Sequence, residues 1–119
     1  MAQDMAQEEE LMQMSIELGK AIAQTDVYKE FKRAEYELFQ DAEARKLVED
    51  LQKMKQEHRG KMMAGLELTK EEQEQIKELE QTCIRNRQVL SSNQANTSFQ
   101  EFMEKISGNI KAGIQSVDK

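Results

Sequence analysis

Proline is missing altogether from these 119 residues, where average usage would supply about six. Aromatic residues make up only 5% of the chain, while charged residues make up 34%. Proline breaks helix interiors, and Glu, Lys, Gln, Met and Leu are good helix formers, so this composition favours long helices. Cysteine is almost missing too. Cys83 stands alone, which excludes an intrachain disulfide and is compatible with a reducing compartment. No apolar run approaches the roughly 20 residues needed to cross a bilayer. The opening MAQDMAQEEEL is acidic where a secretion signal is basic and then apolar. A cytoplasmic protein without a membrane partner is therefore expected.

Acidic residues number 23 and basic residues 17, for a net charge of −6. Such a chain repels phosphate backbones unless a local basic patch intervenes. The best candidate is Lys53, Lys55, His58, Arg59 and Lys61, but Glu57 interrupts it. Arg45–Glu49–Lys53 and Glu57–Lys61 fall at i,i+4, the spacing of ordinary ion pairs on a solvated helix face. Direct nucleic-acid binding is not expected. The length suits one domain over residues 1–119, able to bury about two-thirds of its unfolded surface.

The apolar spacing predicts five helices. The first runs from about Asp4 to Gln24, with Leu11, Ser15, Leu18 and Ile22 on one line and Met12, Ile16, Gly19 and Ala23 beside it. So broad an arc predicts packing against more than one neighbour. Thr25 and Asp26 are good caps for a short second helix, whose stripe is Val27, Phe31, Ala34 and Leu38, with Tyr28 and Phe39 on its shoulder. Asp41 caps a third helix, about Ala42 to Met63, with a seam of Leu47, Leu51, Met54 and His58. Gly65 suits a left-handed helix stop, and Thr69 with Glu72 forms a capping box for the next start. A fourth helix, about Lys70 to Ser91, answers with Ile76, Leu79, Cys83, Asn86 and Leu90. Ser92 or Asn93 is expected to cap the last helix, which runs to about Val117 and buries Phe99, Phe102, Met103, Ile106, Ile110 and Ile114. The fold class is all-α: an elongated bundle of about five helices built on a long antiparallel helical hairpin.

Little here supports catalysis. His58, the sole histidine, and Cys83 both sit at seam positions, and no partner nucleophile or carboxylate is placed by helical spacing. One cysteine and one histidine cannot complete a four-ligand zinc or iron–sulfur site within one chain. Runs such as Glu8-Glu9-Glu10 and Glu71-Glu72-Glu74 complement helix dipoles. No paired E-x-x-H motif of a di-metal bundle and no phosphate loop is present. No catalytic, cofactor-binding or metal residue is assigned. Binding surfaces are the remaining candidates. Met62, Met63, Leu66 and Leu68 crowd the hairpin tip, where they either close the bundle end or meet a partner. Phe102, Ile106 and Ile110 form the apolar stripe of the last helix, the preferred face for a homodimer.

Several stretches together resemble the YlbF/YmcA family of small helical bacterial proteins, closest to its YheA-like branch. They are Leu18-Gly19-Lys20-Ala21-Ile22; Tyr28-x-x-Phe31-Lys32-x-Ala34; Asp41-x-Glu43-Ala44-Arg45-x-Leu47-Val48; and Met63-Ala64-Gly65-x-Glu67-x-Thr69-x-Glu71-Glu72. The likeness spans about Leu11 to Ile114. It implies a helical, dimer-forming protein without enzymatic activity. Characterised relatives act as regulatory partners in competence, biofilm formation and sporulation, within a complex that influences messenger-RNA processing through ribonuclease Y. Some members use cysteines for iron–sulfur clusters, including near the C-terminus. This chain departs there, because Gln94 to Lys119 holds no cysteine. The expectation is a non-catalytic regulatory or adaptor protein without cofactor, homodimeric, and open to a regulatory protein partner. The alternatives are a helical-hairpin chaperone using its methionine-rich tip, and a redox sensor with a cluster shared across chains.

Overall fold

Five α-helices run through the computed structural model: α1 Ala2–Ala23, α2 Asp26–Gln40, α3 Ala42–Met63, α4 Lys70–Arg85 and α5 Arg87–Val117. It describes residues 2–118, so of the domain expected over 1–119, Met1 and Lys119 lie outside the described residues. Among the described residues there is no strand. Each break follows from local chemistry. Thr25 accepts a hydrogen bond from the Tyr28 amide at 3.2 Å, and Asp41 accepts one from the Ala44 amide at 3.0 Å. These side chains satisfy amide donors that the first turn of a helix leaves free.

The α3–α4 turn is a full glycine stop. Gly65 takes φ +80°. The Leu66 amide donates to Lys61 O at 2.9 Å and the Gly65 amide to Met62 O at 3.1 Å, the paired bonds of a Schellman cap. Thr69 and Glu72 then exchange reciprocal bonds at 3.1 and 3.2 Å and open α4. The two helices return on each other as the expected antiparallel hairpin, and α4 at 16 residues is shorter than α3 at 22.

The boundary between α4 and α5 differs from the sequence expectation. Asn86, expected inside the fourth helix, instead caps α5, accepting bonds from the Gln88 and Val89 amides at 3.0 and 3.1 Å. Ser92 and Asn93, the expected caps, lie inside α5. Because the break comes six residues early, the register turns, and Val89 enters the core while Leu90 stays exposed. Asparagine's short carbonyl competes with the helix for nearby amides, and this preference overrides the apolar spacing.

The core is small. Leu38, Ala44, Cys83 and Val89 form its centre, with Leu47, Val48, Leu51 and Leu79 packed against it. This places the ends of α2 and α4 against the starts of α3 and α5. A second cluster joins α2 to α5 in antiparallel sense: Phe31 stacks on Phe99 with ring centroids 5.0 Å apart, and Tyr28 meets the edge of Phe99 at 5.6 Å. Ala34 and Ala95, both buried, are the small residues along this pair.

The radius of gyration is 20.6 Å and the extents are 60 × 37 × 26 Å, where a compact chain of this length has a radius of about 13.5 Å. The accessible surface is 9882 Å², about 3,300 Å² more than a compact monomer of this mass exposes. Folding thus buries about half of the unfolded surface rather than the two-thirds expected. The cause is that α1 touches α2 and no other helix, and the last third of α5 touches none. The expectation that α1 packs against several neighbours is corrected, since Leu11, Met12, Ile16 and Leu18 are all exposed.

Two substitutions test the helix stops. A Cβ at Gly65 meets nothing within 4 Å, so Gly65→Ala carries only the left-handed backbone cost, about 1–2 kcal/mol. Asn86→Ala removes the α5 cap and costs about 1 kcal/mol. Urea unfolding of both variants checks these values.

Candidate interaction surfaces

The first surface is the hairpin tip. The hydrophobic residue two places after a helix end normally folds onto the third or fourth residue before it. Here that residue is Leu66, and it is 59% exposed, because the position three from the helix end holds Lys61. Met62 and Met63 are exposed as well, and only Leu68 of the four expected tip residues is half-buried. The tip does not close the bundle. It presents its apolar side chains outward.

Lys61 has another task. Its ammonium pairs with the Glu72 carboxylate across the hairpin, so the expected Glu57–Lys61 pair along α3 does not form. The Arg45–Glu49–Lys53 pairs are likewise absent among the described residues. The Lys61 ammonium and the Thr69 backbone amide hold the Glu72 carboxyl down to about 2, against an ordinary 4.5. At the same end of the hairpin lies an open groove of about 620 Å³, walled by Lys55, His58, Arg59, Met62 and Met63 of α3, by Leu68, and by Ile76 of α4.

The second surface is the end of α5. Phe102, Met103 and Ile106 are half-buried, whereas Ile110 and Ile114 are 52% and 60% exposed. The buried face expected through Ile114 therefore stops near Ile106. The reason is length: α2 begins at Asp26, and beyond it nothing covers α5. The third surface is α1, where Met5, Met12 and Ile16 line a shallow groove flanked by Glu8 and Glu9. The sequence reading assigned α1 to the core and missed this face. Its signal was the spacing of Met5, Glu8, Glu9 and Met12.

Cys83 sits where the seam placed it. It is buried, its Sγ donates to Leu47 O at 3.7 Å, and burial pushes its thiol pKa up. Metal and cluster ligation needs the thiolate, which this setting disfavours. Among the described residues no three His, Cys, Asp or Glu side chains gather as a metal-binding group. The residues present do not fit the clusters carried by some YlbF/YmcA members. His58, also on the seam, is 8% exposed.

No helix among the described residues is long and apolar enough to cross a membrane. A family model described as control of competence regulator ComK, YlbF/YmcA, matches residues 3–115. No individually curated protein matches by sequence. Among solved structures, the chain is similar to the X-ray crystal structure of Bacillus subtilis RicA in complex with RicF. The TM-score is 0.77 at 18% identity, over 92% of this chain and 97% of that one. At that identity the likeness speaks for the fold.

One titration and one labelling rate follow from these environments. A group with a depressed folded pKa stabilises above its ordinary value and loses that effect as pH falls through the folded one. Glu72 is expected to titrate near 2 by carboxyl NMR, with tip amide protection falling between pH 4.5 and 2; Lys61→Ala moves that titration up toward the ordinary range. Cys83 should react with a thiol reagent far more slowly in the folded protein than in denaturant, and rapid labelling of the folded chain would contradict its burial.

Proposed function

This chain belongs to the YlbF/YmcA family, and from that premise we propose that it is a non-catalytic regulatory or adaptor protein acting through protein–protein contact. One observation carries the reading: the surplus of apolar surface on α1, the hairpin tip and the end of α5. Monomeric proteins rarely leave such faces uncovered. A standard protein interface buries about 1,600 Å² in total, and the surplus of total surface here, about 3,300 Å², is larger. The fold neighbour RicA was crystallised with a protein partner, RicF, which supports a partner-binding role for this architecture.

The finer reading places the chain in the YheA-like branch, on the segment Met63-Ala64-Gly65-x-Glu67-x-Thr69-x-Glu71-Glu72. It acts in the cytoplasm as a homodimer that engages a regulatory partner. Its output is control of competence, biofilm formation or sporulation, or of messenger-RNA processing through ribonuclease Y. Phe102, Ile106 and Ile110 anchor the contact on α5, and the tip residues Met62, Met63, Leu66 and Leu68 give a second one. Methionine-rich surfaces adapt to differing partners.

Ile110→Asp with Ile114→Asp tests the α5 face. Both side chains are exposed, so helicity should be retained and the unfolding free energy of the monomer should stay within about 0.5 kcal/mol of wild type. Association with itself or its partner, followed by sedimentation, should weaken at least about tenfold. Unchanged association would remove α5 from the interface.

A further inference from the structure

We propose that a second copy of this chain lays the acidic, methionine-lined face of its α1 into the apolar groove at the hairpin tip, whose lining includes Lys55 and Arg59. The proposal rests on the homodimer reading above and adds to the α5 face a second contact between the two copies.

The groove and the face share one spacing. Lys55, His58, Arg59 and Met62 stand at i, i+3, i+4 and i+7 of α3, and Met5, Glu8, Glu9 and Met12 stand at the same intervals of α1. Each set therefore forms a single stripe along its helix. Run antiparallel, Arg59 falls opposite Glu8, His58 opposite Glu9, Met62 opposite Met5 and Lys55 opposite Met12, one turn from Glu9. A methionine pair closes one end, Arg59 and Glu8 are opposite charges at the centre, and Lys55 stands at the other end within reach of Glu9.

Their charges are unspent. Among the described residues, Lys55, Arg59, Glu8 and Glu9 enter no ion pair, whereas the neighbouring Lys61 is taken by Glu72. The groove also holds a buried polar group with an unmet need. His58 lines it, is 8% exposed, and its Nδ1 has no hydrogen-bond partner. Buried ring nitrogens are normally paired, so this one marks an incomplete surface.

The chain's own α1 is not the occupant, because it touches only α2 and not the hairpin. Pairing of α1 with a second α1 is disfavoured, since each carries Asp4, Glu8, Glu9 and Glu10. One groove and one α1 per copy let a two-fold pair make two equal contacts and close. The surplus surface of about 3,300 Å² per chain exceeds what a stable dimer buries.

Charge reversal tests the pairing, read by sedimentation at low salt. Glu8→Lys with Glu9→Lys, and separately Lys55→Glu with Arg59→Glu, should each raise the dimer dissociation constant at least about tenfold. Mixing the two double variants should restore it, because the heterodimer then has opposite charges at both contacts. Double variants that dimerise like wild type would overturn the α1–groove contact and leave the homodimer reading intact. A wild type that stays monomeric at high micromolar concentration would overturn both. Circular dichroism reports folding. If a variant fails to fold, carbodiimide cross-linking of mixed light and ¹⁵N-labelled wild type decides. Isotopically mixed Lys55–Glu8 or Lys55–Glu9 links support the contact, and their absence among recovered cross-links overturns it.

Discussion

The pairing of α2 with α5 sets the terms for the rest of the molecule, because the two helices differ twofold in length. At 15 and 31 residues they span about 22 and 46 Å. The Phe31–Phe99 stack, the Tyr28 edge contact and the buried Ala34 and Ala95 hold them together. Where α2 starts, at Asp26, the cover on α5 ends, and Ile110 and Ile114 stand in water. The Thr25 cap turns α1 away from that gap, so α1 leaves its own apolar arc open as well. One short helix thus accounts for both the large radius of gyration and the surplus surface.

The hairpin adds the second half of the account. Its ends are held by local devices: the Gly65 stop, the Thr69–Glu72 box and the Lys61–Glu72 pair. Since these close the turn without apolar help, Met62, Met63 and Leu66 are left free to face outward. An exposed ion pair contributes little stability by itself, but this one joins the two arms of the hairpin beside its tip. Regulation through protein contact needs surfaces of this kind and no buried catalytic group. Cys83, bonded to a backbone carbonyl inside the core, is packing.

Much of the fold was legible because its punctuation is chemical and local. Thr25, Asp41, Gly65 and Thr69 act over three or four residues, and each does what its side chain dictates. Asn86 was misread because its apolar neighbours continued a plausible seam, and a cap there competes with that spacing only once Val89 finds the core. The candidate surfaces were half legible. Leu66 and the methionines stood out at a turn, and the α5 stripe was visible. Whether a stripe is covered by the chain itself or left open depends on helix lengths meeting in space, which periodicity does not contain. For that reason Ile110, Ile114 and the α1 residues Leu11, Met12, Ile16 and Leu18 were assigned inward when the structure turns them out, while Ile22 and Ala23 at the α1 end are half-buried as expected. Lys61 choosing Glu72 over Glu57 has the same origin, since the across-hairpin neighbour is invisible to i,i+4 counting.

On the function proposed above, α1 and the end of α5 are completed by another chain. Amide hydrogen exchange across a dilution series measures this most directly, since it reads each helix separately. Protection in α1 and in residues 106–117 is expected to be concentration-dependent and to fall together on dilution, while the α2–α5 pair around Phe31 and Phe99 keeps its protection. Protection of α1 that persists unchanged at concentrations where the chain is monomeric would contradict it.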